Sequence, residues 1–157
     1  MENNLKYRMY GLVPGNISPI QQGIQFGHGV VEYMLKYPIH LAHTDTEQWA
    51  EEDKTFIILN GGTTNTNGSG TLNQHRQTLL DNNIEISTFY EPDLGDQLTS
   101  VNFLVDERVW DKVKYPDLKE TFYNFDIQLE LKEYWERGIG GQKNIFLREF
   151  LKQFRLA

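Results

Sequence analysis

The sequence contains no cysteine among its 157 residues. Disulfides and thiolate metal ligands are therefore excluded, and a chain of this kind is typical of a reducing compartment. No apolar run approaches the roughly 20 residues that a membrane-spanning helix requires, and residues 1–6 lack the basic-then-apolar order of a signal peptide. From these absences we expect a cytoplasmic protein without a membrane partner.

Positive charge is scarce in the first two thirds of the chain. The whole sequence has 15 lysines and arginines against 22 aspartates and glutamates, which gives a net charge of −7. Residues 106–157 contain ten of each sign, so residues 1–105 hold the other five basic and twelve acidic residues and carry the entire −7. Because nucleic-acid binding depends on cations that neutralise phosphates, we do not expect long DNA or RNA as a partner.

Hydrophobic periodicity predicts the fold class. Alternating or continuous apolar character predicts strands over 6–13, 55–59, 84–90 and 99–105. Helical spacing predicts helices over 19–36 and 71–82, the second with Leu72, Leu79 and Leu80 facing inward. The order of these elements indicates an α/β fold, with a small mixed four-stranded sheet sandwiched by helices. The continuous run at 55–59 (TFIIL) is typical of a buried central strand.

The remainder of the chain predicts a helical extension. We expect residues 1–105 to form the α/β core and residues 106–157 to form an aromatic-rich C-terminal helical extension of the same domain. In its last helix, over about 142–156, Phe146, Phe150 and Phe154 share one stripe. We expect this stripe to pack on the core or on a second subunit. A homo-oligomer follows from the second alternative.

The first predicted helix begins with two clear signals and contains two glycines. Ser18 suits the N-cap position and Pro19 the first helical position. One face carries four aliphatic residues, with glycines beside them: Ile20, Ile24, Val31 and Leu35, with Gly23 and Gly27. Each glycine weakens a helix by about 1 kcal/mol relative to alanine. We therefore expect this helix to lie very close to a sheet or a ligand.

A polar stripe on the same helix is the first candidate site. Gln21, Gln25, His28 and Glu32 are spaced by four, three and four residues, which places them on one side of a helix. Such a stripe can line a pocket at the carboxyl end of the first strand, where open α/β sheets bind ligands. It can equally be a solvated helix face with a single histidine on it. A histidine can act as acid or base near neutral pH.

The glycine-, threonine- and asparagine-rich segment at 60–70 is the second candidate site. Its backbone amides and hydroxyls can surround a phosphate or a ribose, although the segment lacks the Gly-Lys-Ser/Thr of a Walker A loop. The candidate ligand-binding residues are Gly61, Gly62, Thr63, Thr64 and Asn65. His75, on the second predicted helix, can face the same cleft. The alternative is a flexible surface loop built from turn residues.

Three carboxylates before the last predicted strand are the third candidate. Glu91, Asp93 and Asp96 lie within six residues and carry the oxygen ligands that hard divalent cations prefer. The same pattern is common in ordinary turns, and we favour that interpretation. We therefore expect no bound metal and no cofactor.

The segments Gln25-Phe26-Gly27-His28-Gly29 and Glu91-Pro92-Asp93-Leu94-Gly95, with Thr99 beyond them, support a resemblance to a known family. Over residues 5–105 the chain resembles the type-2 peptidyl-tRNA hydrolases, and it also resembles small tailed-phage proteins built on that fold. The resemblance implies a small mixed sheet between helices and an oligomer, often a dimer. Gln25, His28, Asp93, Gly95 and Thr99 match by position. Gln21 stands where the family has a lysine.

These observations leave three functional hypotheses. The first is a small-ligand protein, most simply a nucleotide binder, with a pocket between the first helix and the 60–70 loop. If the source is a phage, it would sequester a nucleotide signal in the host cytoplasm. The second is a hydrolase of peptidyl-tRNA or a nucleotide ester, in which His28 or Asp93 positions water and Thr99 hydrogen-bonds the substrate. The third is a non-catalytic interaction module that acts through the helical tail.

Overall fold

A computed structural model describes residues 4–64, 70–118 and 125–157 of the chain. The chain forms two compact units. The first comprises residues Met1–Val105 together with Phe154–Ala157, and the second comprises Asp106–Gln153. The predicted packing of the helical extension on the core or on a second subunit stays a prediction.

The first unit is built on a four-stranded mixed sheet, which confirms the predicted α/β class. Its strands are β1 (Tyr7–Val13), β2 (Thr55–Asn60), β3 (Ser87–Glu91) and β4 (Gln97–Asp106). The strand order is β2-β1-β4-β3. Strands β1 and β2 are parallel, whereas β3 and β4 are antiparallel. The C-terminal helices with their aromatic cluster are likewise observed.

Strand β2 lies at the edge of the sheet, so its predicted central position is wrong. Of its six residues Leu59 is buried, while Phe56 is 56% exposed. The last residues of the chain run alongside this edge: the Asn60 amide donates to the Arg155 carbonyl at 2.9 Å, and the Ala157 amide donates to the Ile58 carbonyl at 2.9 Å. An apolar edge strand is thereby covered by the protein's own C-terminus rather than by a further strand.

Helices cover both faces of the sheet. The first unit contains α1 (Pro19–Lys36), α2 (Thr44–Gln48) and α3 (Thr71–Asp81), with 3-10 turns at Ile39–Leu41 and Pro92–Leu94 and a π-helical turn at Trp49–Asp53. Phe26 of α1 occupies the space that Gly11 leaves open on one face of β1. Leu72 of α3 and Leu12 of β1 both adjoin Gly61 on the other face, since successive strand residues point in opposite directions.

In α3 the predicted inward face is confirmed at two of three positions. Leu72 and Leu79 are fully buried, but Leu80 is 38% exposed. The two buried leucines are seven residues apart, which is close to two helical turns and places them on one line. Leu80 is rotated about 100° from Leu79, past the edge of the contact.

Helix α1 begins and ends where the sequence predicts. The Ser18 hydroxyl accepts the Gln21 amide at 3.2 Å, and Pro19 occupies the first turn. These two residues satisfy the requirements of a helix N-terminus, because the cap supplies an acceptor and proline needs none. At the other end, the Lys36 ammonium donates to the Ile86 carbonyl at 2.9 Å, which ties the last turn to the chain just before β3.

Two opposite sides of α1 have different surroundings. The inner face, which packs on the sheet, consists of Gln22, Phe26, Gly29 and Tyr33, all of them buried. The outer face consists of the four aliphatic residues noted in the sequence. Their exposed fractions are 76% for Ile20, 44% for Ile24, 58% for Val31 and 72% for Leu35.

Gly29 is the glycine that brings α1 close to the sheet, not Gly23 or Gly27. A Cβ atom at Gly29 would overlap the Asn102 side chain and lie 2.5 Å from the Ser100 Oγ. The Ser87 hydroxyl also donates to the Gly29 carbonyl at 2.7 Å. At Gly23 and Gly27 a Cβ would meet no atom of the described residues within 4 Å. The expected close approach of α1 to the sheet is therefore confirmed, but it occurs at Gly29. The alternative, that Gly23 and Gly27 adjoin a ligand, stays a prediction.

The second unit is organised around a buried arginine. It contains α4 (Glu107–Trp110), α5 (Phe125–Gly138) and α6 (Gln142–Phe150), followed by a 3-10 turn at Leu151–Gln153. The Arg148 guanidinium donates to the Arg108 carbonyl at 2.7 Å, the Tyr115 carbonyl at 3.0 Å and the Asp117 carboxylate at 2.5 Å. That guanidinium holds the pKa of Asp117 below its usual value. Phe146 and Phe150 stack with ring centroids 5.2 Å apart.

No helix within residues 4–64, 70–118 and 125–157 combines the length and the apolar character needed to cross a membrane.

Candidate functional site

A cavity of about 630 Å³ lies beside α1 in the first unit, where the helix faces the end of β3 and the 3-10 turn that follows it. It is lined by Ile17, Ser18, Gln21, Ile24, Gln25, His28, Phe89, Glu91, Asp93 and Leu94. Pockets of roughly 300–1,000 Å³ are usual for small-molecule ligands. The size therefore suits a metabolite rather than a single ion.

The carboxamide of Gln25 is held in one orientation at the wall of this cavity. Gln25 is 1% exposed, and its Oε1 accepts the Thr99 hydroxyl at 2.6 Å. Its Nε2 donates to the Glu91 carboxylate at 2.9 Å and, more weakly, to the Gln21 Oε1 at 3.4 Å. Because the ionised Glu91 carboxylate can only accept, the amide nitrogen of Gln25 must face it, and this leaves the amide oxygen facing the Thr99 hydroxyl.

A β-bulge explains how Thr99 reaches α1. In the antiparallel pair, Phe89 lies opposite Ser100, but the next residue, Tyr90, lies opposite Leu98. Thr99 is therefore an extra residue on β4, and both it and Ser100 are directed toward α1. Bulges change the direction of side chains in this way and are common beside functional sites. Here the bulge supplies the hydroxyl that fixes Gln25.

Glu91 is the centre of the polar wall. One carboxylate oxygen accepts Gln25 Nε2, and the other accepts the Asp93 amide at 3.2 Å. These hydrogen bonds, the one from Gln25 first, hold the pKa of Glu91 below its ordinary value, and the nearby His28 imidazole contributes in the same direction. Each carboxylate oxygen can accept two hydrogen bonds. Glu91 thus has acceptor capacity left for a ligand.

An aromatic pair forms another part of the wall. The His28 imidazole stacks on the Phe89 ring with centroids 4.4 Å apart and an angle of 15° between the planes. His28 is exposed on α1, whereas Phe89 is partly buried on β3. The stack gives the cavity a flat aromatic element of the kind on which planar ligands can lie.

The charge of the cavity is negative. Among the described residues that line it, two are carboxylates, Glu91 and Asp93, and none is lysine or arginine. A site of this composition offers acceptors to a ligand that carries hydrogen-bond donors. It offers little to neutralise a phosphate, which binds best to cations and unengaged amides.

The structure brings part of the predicted site together. Gln21, Gln25, His28 and Asp93 line the one cavity, and Thr99 lies behind Gln25, fully buried. The following predicted residues do not line this cavity: Glu32, Gly61, Gly62, Thr63, Thr64 and His75. Asn65 lies outside the described residues.

Three consecutive backbone amides of the glycine–threonine segment, those of Gly61, Gly62 and Thr63, donate hydrogen bonds within the fold. The Gly61 amide donates to the Val13 carbonyl at 2.7 Å. The Gly62 amide donates to the Asn60 Oδ1 and the Thr63 amide to the Thr71 Oγ1, both at 2.9 Å. These hydrogen bonds fix the path from β2 to α3. An anion would have to displace them before it could use the same donors.

His75 lies on α3 against the C-terminal residues. Its imidazole meets the Phe154 ring edge-on, with centroids 4.8 Å apart. Burial lowers the pKa of His75, because the imidazolium form loses solvation. A neutral histidine packed against a phenylalanine is typical of a packing role.

Sequence reasoning missed the contributions of Glu91 and Phe89. The sequence indicates Glu91 as one of three carboxylates and as part of the Glu91–Gly95 segment, and it indicates Phe89 as a strand residue, but it does not place either side chain beside α1. Over the residues that the structure describes, no group of three or more metal-ligating side chains is close enough to hold an ion. An Asx-like pattern in Glu91-Pro92-Asp93 could have indicated that Glu91 accepts an amide two residues on.

The fold and the cavity define an α/β protein with an acceptor-rich, partly aromatic cleft beside its first helix. A scan against protein-family models finds no match for this chain, and a search of curated proteins finds no significant match either.

Proposed function

We propose that the chain binds a small ligand of the nucleoside or nucleotide class in the cavity beside α1, with the base as the part that is recognised, and that it binds without turnover. The observation that carries this proposal is the hydrogen-bonded set of Thr99, Gln25 and Glu91. A buried hydroxyl and a buried amide orient one carboxylate toward a cavity of metabolite size.

The lining supports a heterocyclic base. Bases carry amino and imino N–H donors at their edges, which match the free acceptor capacity of Glu91 and the nearby Asp93. Their flat faces suit the His28–Phe89 stack, because stacking of a base on an aromatic side chain contributes about 1–3 kcal/mol. Ile24 and Leu94 complete the apolar part of the wall.

The charge of the cavity makes the proposal specific. Two carboxylates and no cation line it within the described residues, so a 5′-phosphate adds little binding energy. We therefore expect a nucleoside to bind about as well as its monophosphate. This expectation differs from that of a phosphate-binding protein, in which the nucleotide binds much more tightly.

Isothermal titration calorimetry with the four ribonucleosides and their 5′-monophosphates tests the proposal. Glu91→Gln should weaken binding of the preferred nucleoside at least tenfold, because it replaces one acceptor with a donor beside the ligand's own donors. Glu32→Gln is the control, since Glu32 is an exposed carboxylate on α1 outside the cavity, and it should leave affinity unchanged. If all four nucleosides fail to bind, or if both variants weaken binding equally, the proposal is wrong.

The pH dependence supplies a second readout. Because the pKa of Glu91 is lowered, the carboxylate stays ionised below the pH at which an ordinary glutamate becomes protonated. Binding should accordingly persist as the pH falls through the ordinary glutamate range and be lost only at lower pH. Loss of binding at a higher pH would point to a different acceptor.

A hydrolase is the second candidate, because His28 and Asp93 line the same cavity. An imidazole and a carboxylate at one cleft can orient water against an ester, such as that of a peptidyl-tRNA or a nucleotide. Thr99 is less suited to contact a substrate, since it is buried and its hydroxyl is engaged by Gln25. Chromatography of the ligand recovered after incubation separates the two candidates. Intact ligand supports the binding protein. Ligand that is cleaved by the wild-type chain but not by the His28→Ala variant supports the hydrolase.

A further inference from the structure

Helix α1 is apolar on two opposite sides, and one of them is not covered. The inner face packs on the sheet, whereas all four side chains of the outer face are at least 44% exposed. A helix at the surface of a domain normally turns a polar side to solvent. Large apolar side chains that are exposed together on one face of a helix indicate an interaction surface.

Packing among the described residues does not require the two glycines beside the outer face. A Cβ at Gly23 or Gly27 would meet no atom of residues 4–64, 70–118 and 125–157 within 4 Å, yet each glycine costs about 1 kcal/mol of helix stability relative to alanine. Glycine at such positions lets another backbone approach closely. Gly27 lies at the edge of the outer face, rotated about 20° from Ile20 and about 40° from Val31, and between Ile24 and Val31 along the helix axis.

Charge indicates which kind of partner fits. The 18 residues of α1 contain one glutamate and one lysine, so the helix is neutral in a chain of net charge −7. An anionic membrane or a nucleic acid would be attracted by rows of lysine and arginine along the helix, and α1 has none. A second copy of the chain can approach this helix without like charges facing each other.

The spacing of the outer face is symmetric. Ile20 and Ile24 are four residues apart, as are Val31 and Leu35, and both pairs are equally distant from the midpoint between Gly27 and His28. In an antiparallel pair of such helices Ile20 meets Leu35, and Ile24 meets Val31, on both sides of a two-fold axis. Self-complementarity of this kind is what a two-fold homodimer requires.

We propose that two copies of the chain dimerise through the outer faces of α1, packed antiparallel with Gly27 and His28 at the two-fold axis. Antiparallel packing also sets the two helix dipoles in favourable opposition. Because one helix pair buries less than a standard interface, the dimer should depend on concentration, with dissociation in the micromolar range. This proposal is argued from α1 alone, although Ile24 and His28 belong both to this face and to the lining of the cavity.

Single-cysteine cross-linking tests the register, since the chain has no other cysteine. Under oxidation a mixture of Ile24→Cys and Val31→Cys should form a covalent dimer, because Ile24 of one copy faces Val31 of the other. Ile20→Cys alone should not form a covalent dimer. In the antiparallel register Ile20 of one copy lies opposite Leu35 of the other, so the two copies of Ile20 are about 22 Å apart along the helix axis. A mixture of Ile20→Cys and Leu35→Cys should cross-link. Ile20→Cys that dimerises by itself at least as readily as the mixture would overturn the antiparallel arrangement.

Sedimentation velocity over a concentration series tests the interface itself. The wild-type chain should shift from monomer to dimer, and Val31→Asp should remain monomeric at least tenfold beyond the wild-type midpoint. Val113→Asp is the matched control, because Val113 is 96% exposed and lies outside α1, and it should still dimerise. A wild-type chain that is monomeric throughout overturns the proposal, as does a dimer that survives Val31→Asp. Flotation of the wild-type chain with lipid vesicles, in the absence of a dimer, would assign the face to a membrane instead.

Discussion

The inner face of α1 is less aliphatic than its outer face, although the inner face is the one that is buried. The inner face combines one phenylalanine and one tyrosine with a glutamine and a glycine, whereas the outer face has two isoleucines, a valine and a leucine. The sheet below presents Gly11, Ser100 and Asn102 to this helix. The buried face of α1 is the one that fits the sheet in shape and hydrogen bonding, not the one with the more hydrophobic residues. The Phe26 ring lies over Gly11, and Gly29 lies against the polar side chains of Ser100 and Asn102.

The largest expected effect tests whether the inner face carries the stability. Phe26 is 2% exposed and fills the space above Gly11, so Phe26→Ala should lower the free energy of unfolding by about 3–5 kcal/mol. Ile20→Ala is the outer-face control, since Ile20 is 76% exposed, and its effect should stay within about 0.5 kcal/mol at monomeric concentration. Urea denaturation followed by circular dichroism measures both. Similar losses in the two variants would contradict the distinction between the faces.

A smaller effect is expected from the one glycine that the fold requires. Gly29→Ala adds a methyl group against the Ser100 and Asn102 side chains, both buried, and overpacking of this kind costs about 1–3 kcal/mol. Gly23→Ala serves as the control, because its methyl group would enter open space. The same denaturation experiment compares the two. If Gly29→Ala is as stable as the wild type, α1 does not lie as close to the sheet as described.

The two faces also show why periodicity could predict the existence of α1 but not its orientation. The cap at Ser18 and the proline after it are local signals, so the helix bounds could be read from the sequence. Both faces repeat with helical spacing, and the aliphatic face gave the stronger signal. Contacts with the strands decide which of the two faces is buried. Phe26 packs over Gly11 and its carbonyl accepts from Asn102, residues that are 15 and 76 positions away in the sequence. Non-local matches of this kind have no periodicity of their own.

The candidate site likewise has residues that local helical spacing places and residues that only the tertiary structure places. The spacing of Gln21, Gln25 and His28 is local, and their arrangement along one cavity follows from the helix. The contribution of Glu91 depends on the bulge at Thr99 and on a turn that bends the chain back toward α1. Strand β2 is a second case in which the sequence predicts burial but not what covers the strand. Its apolar run predicts burial, but the C-terminal residues, and not a fifth strand, supply the cover.

The smallest effect carries the most information about the outer face. Gly27→Ala should raise the free energy of unfolding of the dilute monomer by about 0.5–1 kcal/mol, because alanine is the better helix former and its methyl group meets no atom of the part of the chain that the structure describes. At concentrations where wild-type chains pair, the same methyl group should hold the two helices apart and weaken association. A stabilised monomer with a weakened dimer can arise only if glycine at this position serves the partner and not the fold. A destabilised monomer would instead mean that Gly27 has a structural role within the subunit.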